Sequence, residues 1–369
     1  MPNRPRQGSA ARLPSSSLIT PGARYRNTPR LPHHPADAAP STAMYWSRAP
    51  VFGHLPDRAL RGHSVTLIEG MVWQIGGCDQ SGTCFPDIYT FNTDTMQWSH
   101  PETTGEGPPP CRAHSATQVD RRIFVFGGGA GLSFFNDLYV LDTVLRSWTK
   151  VVHPPNAKVP IPRRAHTTWL YKGKIYMFGG GNGEKALNDV WTLDVTVPYE
   201  EMRWEEVKVE GDKPGPRGYH TANLVRDVVV IIGGSDGSYM FDDVWVLNLN
   251  YMRWQQIKLE TNKRRLGHTS TQVGSYLFVI GGHDGTQYSR DLQLFNLVTF
   301  QWEPRETKGR QPQGRGYHRA VLHDSRVFVF GGFDGMRVFE DVHVLDLAAA
   351  AYLPQVTSFM LMQEAEILR

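Results

Sequence analysis

Between Arg217 and Trp254 the chain alternates short apolar runs with polar breaks. An apolar–polar run opens at His220, and a β-branched run from Val228 to Ile232 stops at Gly233-Gly234. A polar turn around Asp236-Gly237 leads to a run that starts at Asp243-Val244-Trp245, and Asn248-Leu249-Asn250 links it to a last run carrying Trp254. Runs this short, rich in β-branched and aromatic residues and punctuated by Gly, Asp and Asn, predict strands and tight turns. The stretch of 38 residues therefore predicts four short strands.

The same pattern recurs along the chain. Gly-Gly pairs fall at 76–77, 127–128, 179–180, 233–234, 281–282 and 331–332, each closing an apolar run. Thirteen residues before each pair stands a histidine: His63, His114, His166, His220, His268 and His318. Two or three positions before each histidine is an arginine: Arg61, Arg112, Arg164, Arg217, Arg265 and Arg315. Nine to eleven residues after each pair comes Asp with an aliphatic neighbour, from Asp87-Ile88 to Asp341-Val342. Trp98, Trp148, Trp204, Trp254 and Trp302 follow 20 to 24 residues after the second glycine.

Each recurring residue type has a physical reason. Glycine suits a crowded strand end where the backbone turns to positive φ or meets a neighbour closely. Asp or Asn before the tryptophan caps a turn with its own side chain, and tryptophan fills the space between sheets. Four strands per unit at a period near 50 is the kelch spacing, and a ring of such sheets is a β-propeller. Over roughly residues 44–350 the sequence resembles the kelch-repeat family. The resemblance implies an all-β fold, a six-bladed propeller with four antiparallel strands per blade. It also implies a protein-interaction module, since stand-alone kelch chains are similar to GTPase (Rab-type) effectors, polarity scaffolds and ubiquitin-ligase substrate receptors.

The sixth blade has two candidates for its outer strand. Trp46 lies 17 residues before His63 in a strand-like stretch, whereas Tyr352 sits among alanines ahead of Pro354. Ala and Pro are poor strand formers, so closure by the N-terminal strand carrying Trp46, paired with 341–347, is expected. The propeller is thus expected over 44–352. Residues 353–369 are expected to be a short tail, helical at 360–368. The Pro/Ser-rich residues 1–43 cannot bury enough surface to order themselves. Prolines also oppose the amphipathic helix of a transit peptide, so this head reads as a flexible basic tail.

Composition narrows the function. The first 43 residues carry six arginines against Asp37, a net +5, so from +3 overall the remaining 326 carry −2. The folded part shows no basic excess of the kind nucleic-acid binding uses. No run approaches the ~18 apolar residues of a membrane span. Three cysteines make no disulfide framework, which favours a reducing, cytoplasmic setting. Cys78 and Cys84 lack the second ligand pair a zinc site needs, and no phosphate loop or nucleophile motif appears. The histidines recur in register, so a structural role accounts for all six, and no metal or cofactor is expected. The rival reading is an enzyme of this fold, a sugar mutarotase or a metal oxidase, but the one-off candidates Glu184, His283 and Glu340 are scattered among turns.

In a four-strand meander the links between strands two and three share one face with those between blades. The six arginines end the second set of links, at the inner rim. Guanidiniums around a channel mouth can hold carboxylates bidentately, and the family resemblance implies such use for acidic segments. Alternatively each arginine pairs with an Asp or a backbone carbonyl and fixes the ring. The same face carries Tyr239, Phe241, Tyr288 and Phe333, the aromatic–arginine composition of interaction hot spots. The expected partner is a protein segment.

Overall fold

The computed structural model describes residues 24–26 and 44–347. Most of the head, Tyr352 and the expected C-terminal tail lie outside the described residues. Within them the chain forms six antiparallel blades arranged as a β-propeller, each with four strands and two of them, blades 1 and 6, widened at the outer edge by further strands. The inner strands are Ser64–Ile68, Ser115–Val119, Thr167–Tyr171, Thr221–Val225, Thr269–Val273 and Arg319–His323, one from each of blades 1 to 6. Blade 4 shows the common register. Thr221 pairs with Ile232, Val228 with Asn248, and Leu247 with Trp254, so each strand turns back on the one before it. Val228–Ile232 is buried throughout because it is sandwiched between blades, which is why it reads as an unbroken apolar run.

The ring closes as expected from Trp46. Tyr45–Arg48 pairs antiparallel with Val342–Asp346, with Trp46 opposite Leu345, and so supplies the outer strand of blade 6. Lys308–Gly309, leaving blade 5, then runs parallel along its outer edge. Tyr25–Arg26, inside the segment read from sequence as tail, pairs with Phe52–His54 at the outer edge of blade 1.

Tryptophans cement neighbouring blades. Trp98 of blade 1 meets Phe330 of blade 6 at 5.9 Å between ring centroids, Trp204 meets Phe126 of blade 2, and Trp254 meets Phe178 of blade 3. Trp46, Trp148 and Trp302 are likewise buried in the interblade clusters. The first glycine of each pair allows this closeness. Gly179 of blade 3 has φ +69°, and a Cβ there would lie 2.7 Å from the Arg217 carbonyl at the start of blade 4. Backbone conformation and lack of room exclude a side chain together. No helix among the described residues is long and apolar enough to cross a membrane.

Candidate functional site

The loop face is built by pairing the two kinds of link. The residue two before each histidine forms a bridge with the residue after each Gly-Gly pair: Arg61 with Cys78, Arg112 with Gly129, Arg164 with Gly181, Gly218 with Ser235, Leu266 with His283, and Gly316 with Phe333. One residue on, a closed circle of hydrogen bonds passes from blade to blade. Gly62 donates to Tyr317, Ala113 to Gly62, Ala165 to Ala113, Tyr219 to Ala165, Gly267 to Tyr219 and Tyr317 to Gly267, all at 2.7–3.0 Å. These six residues all hold positive φ, including the bulky Tyr219 and Tyr317 at +57°. Such a conformation is costly for a large L residue, and here it lets each amide reach its neighbour.

The six sequence-predicted arginines do not form one ring. They belong to two registers, and the structure separates them. Arg217, Arg265 and Arg315 stand three before the histidine and are buried, at 0, 5 and 1 % exposure. Arg217 donates through Nη1 to Asp243 Oδ1 at 2.6 Å and through Nη2 to Asp243 Oδ2 at 2.9 Å, with a further bond to the Gly233 carbonyl. Arg315 does the same with Asp341 and Gly331, and Arg265 pairs with Asp291. Burial pushes the Asp341 carboxyl up, but the nearby His343 ring and the bonds from Arg315 outweigh it and hold it well below the usual carboxylate range. Meanwhile the backbone of Arg217 bonds blade 3, accepting from Gly180 and donating to Leu187. Each of these arginines therefore staples its blade to the preceding one and cannot face a ligand. In blade 3 the staple is Arg163, paired with Asp189, rather than Arg164. The spacing of three residues was the signal for it.

Arg61, Arg112 and Arg164 stand two before the histidine, in three successive blades. Among the described residues none of them forms an ion pair with a carboxylate within 4.0 Å. Arg61 stacks over Phe333 at 4.2 Å, and Arg164 over Phe134 at 4.7 Å. Arg112 donates to the Cys78 sulfur at 3.8 Å. The neighbouring Cys84 thiol and the charges of Arg112 and Arg61 lower the Cys78 thiol against the opposing effect of burial. In blades 1 and 2 the staple position is occupied by Leu60 and Cys111.

Across the mouth stand the tyrosines. Arg61, Arg112, Tyr219 and Tyr317 line a cavity of about 160 Å³. Tyr317 packs edge-on to Tyr219 at 5.2 Å and to Tyr288 at 6.3 Å, and Tyr288 meets Phe333 at 5.8 Å. Of the predicted aromatics, Tyr288 and Phe333 thus belong to the mouth. Phe241 instead covers the buried Arg217 at 3.9 Å. Tyr239 is exposed away from the mouth, against Phe241. Sequence reasoning missed Tyr219 and Tyr317, although both occupy the slot before the histidine that small residues fill elsewhere.

A second cavity of about 220 Å³ opens on this face at the seam of blades 6 and 1. Leu60, Trp98, Phe330 and Phe339 form its apolar floor, and Arg48, Arg58 and Arg310 stand at its edge. Glu340, one of the scattered acids, bonds Arg24 there at 2.6 Å. The aspartates of the turns are engaged locally. Asp236, Asp284 and Asp334 each accept two backbone N–H bonds of their own loop through Oδ1.

The histidines lie below the mouth, all buried. His114 Nε2 meets Ser64 Oγ at 2.9 Å, and His166, His220, His268 and His318 repeat this with Ser115, Thr167, Thr221 and Thr269. Burial lowers His63, His114, His166 and His268 to about 3, so they are neutral at physiological pH. Among the described residues no three His, Cys, Asp or Glu side chains converge as metal ligands.

The model of the KLHDC2/KLHL20/DRC7 Kelch-repeats domain matches residues 39–234 and 195–358. Human host cell factor 2 is 32 % identical over 237 residues, covering 59 % of this chain and 29 % of that protein. Rat kelch domain-containing protein 3 is 30 % identical over 205 residues, 52 % of each chain. Human host cell factor 1 is 28 % identical over 232 residues, 58 % of this chain and 11 % of its own. The chain thus matches about half or less of the length of these relatives.

Proposed function

From the premise that this chain belongs to the kelch-repeat family, we propose that it is a non-enzymatic interaction scaffold that binds an acidic protein segment at the mouth of the propeller channel. The observation that carries this reading is the set Arg61, Arg112 and Arg164, which the architecture of the ring does not use as staples. Three guanidiniums on adjacent blades match carboxylates spaced along an extended segment. Tyr219, Tyr288, Tyr317 and Phe333 around the rest of the rim supply rigid aromatic area of the kind that anchors interfaces. The exposed Arg310 and the half-buried Arg48 and Arg58 at the seam extend the positive surface on the same face. A role as GTPase effector, polarity scaffold or ubiquitin-ligase substrate receptor in the cytoplasm is compatible with this binding mode, and the partner decides among them.

The test is fluorescence anisotropy of labelled Glu/Asp-rich peptides, with their Gln/Asn counterparts as controls. The Arg61→Glu/Arg112→Glu protein should bind the acidic peptides at least tenfold more weakly while it still folds, its melting temperature falling by no more than about 5 °C for the loss of two part-buried rim contacts. Equal affinity of the two proteins would refute the reading.

A further inference from the structure

One position breaks the histidine pattern. After the histidine, five blades carry Ser or Thr, whose hydroxyl meets the Nε2 of the next blade's histidine at 2.8–3.2 Å. The sixth carries Arg319. The next histidine around the ring, His63, consequently has no hydrogen-bond partner at Nε2.

Arg319 lies in the central channel, in a cavity of about 230 Å³ lined by the inner strands of all six blades. No Asp or Glu is among the lining residues. The guanidinium makes one hydrogen bond, Nη1 to the His318 carbonyl at 3.2 Å, and among the described residues it has no carboxylate within 4.0 Å. Burial lowers its pKa to about 10, opposed only by Tyr219. Arg319 is only partly buried, so its remaining N–H donors keep contact with the solvent of the channel. The buried staples Arg163, Arg217, Arg265 and Arg315 each have an aspartate, whereas this channel-lining guanidinium has no anionic partner among the described residues.

We propose that the channel binds a small inorganic oxyanion, phosphate or sulfate in class, against Arg319. The planar fork of the guanidinium donates to two oxygens of such an ion. The Ser270 hydroxyl, buried on the same cavity wall without a partner, supplies a further donor. A tetrahedral ion offers acceptors in several directions at once and fits a cavity of this volume. The channel cavity shares Tyr219 and Tyr317 with the mouth, but Arg61 and Arg112 do not line it, so the two readings can be tested apart.

Arg319→Thr tests this with a variant that should fold, because threonine is the repeat's own residue and restores an acceptor for His63. Thermal unfolding of the full chain is followed in phosphate and in sulfate, each against chloride at matched ionic strength, with isothermal titration of phosphate alongside. In the parent, phosphate at tenfold excess over its Kd should raise the melting temperature by on the order of 3 °C, with one ion bound. Arg319→Thr should lose both the shift and the titration signal and be at least as stable as the parent in chloride. The Arg61→Glu/Arg112→Glu protein should keep the response, which separates this site from the mouth. A parent that responds no more to phosphate and sulfate than to chloride would overturn the proposal. So would an Arg319→Thr protein that keeps the response, or a mouth variant that loses it.

Discussion

Arg164 and Arg217 occupy neighbouring slots of the same repeat, one residue apart in register, and their environments have little in common. Arg217 is fully buried, holds both oxygens of Asp243 and carries Phe241 on its face. Arg164 is half-exposed, donates to the Gly131 carbonyl at 3.4 Å and stacks on Phe134. The first slot holds Leu60 and Cys111 in blades 1 and 2 and arginine in blades 3 to 6, where it pairs with an aspartate of its own blade. The second holds arginine in blades 1 to 3 and Gly or Leu in blades 4 to 6. A residue that the ring needs should recur where the ring needs it. The second slot does not follow that rule, which is why its arginines are the ones assigned to a partner.

The comparison breaks most visibly if a staple is cut. Arg315→Met removes a cation whose side chain is 1 % exposed and leaves Asp341 as a mostly buried charge. Removing one partner of a buried pair costs about 3–5 kcal/mol. Chemical denaturation at neutral pH should therefore show a loss of that order. A loss below about 1 kcal/mol would mean that the pair is not a staple.

Acid should then narrow the gap. Asp341 titrates in the folded protein below its unfolded value, because His343 and Arg315 outweigh burial. Its contribution is present above the unfolded pKa near 4 and fades as pH falls towards the depressed folded value. Without Arg315 the buried carboxyl loses a partner of its charged form, so it protonates at higher pH and the variant is penalised less in acid. The stability difference between parent and Arg315→Met should shrink between pH 7 and pH 4. His63 and His114, depressed to about 3, destabilise both proteins alike as pH drops below 6.5, and that loss cancels in the difference. His318 and His343 are held down partly by the charge of Arg315, so in the variant they protonate at higher pH and the gap narrows further. A gap that stays constant or widens would deny that the pair carries the effect.

The propeller and its closure were legible because a repeat states its architecture six times. His, Gly-Gly, Asp and Trp mark strand ends in register, and Trp46 could be placed by its distance from His63. What stayed hidden was the difference between slots one residue apart. Allowing "two or three" residues before the histidine merged Arg164 with Arg217 and passed over Arg163, which is the true counterpart of Arg217. Strand pleating sends neighbouring side chains in different directions, so a tolerance of one residue erased the distinction between a staple and a binding group. Arg319, Tyr219 and Tyr317 were visible in principle as departures from the repeat. Their meaning depended on which neighbours crowd the channel axis, and only the closed ring supplies those.

The smallest expected effect is the most discriminating. Arg164→Met keeps a long apolar stem against Phe134 and removes only a guanidinium that has one weak bond to a carbonyl. A cation–π contact at a partly exposed site contributes about 0.5–1 kcal/mol, and the stem offsets part of that loss. The melting temperature of Arg164→Met should accordingly fall by no more than about 2–3 °C, and the variant should show no change in its dependence on pH between 7 and 4. If Arg164→Met instead destabilised the protein as much as Arg315→Met, both registers would be architectural and the mouth would lose its claim to a partner. If the cost is as small as the geometry implies, Arg164 is held at the rim at almost no benefit to the fold. Its presence there, in the same slot as Arg61 and Arg112, is then accounted for by binding.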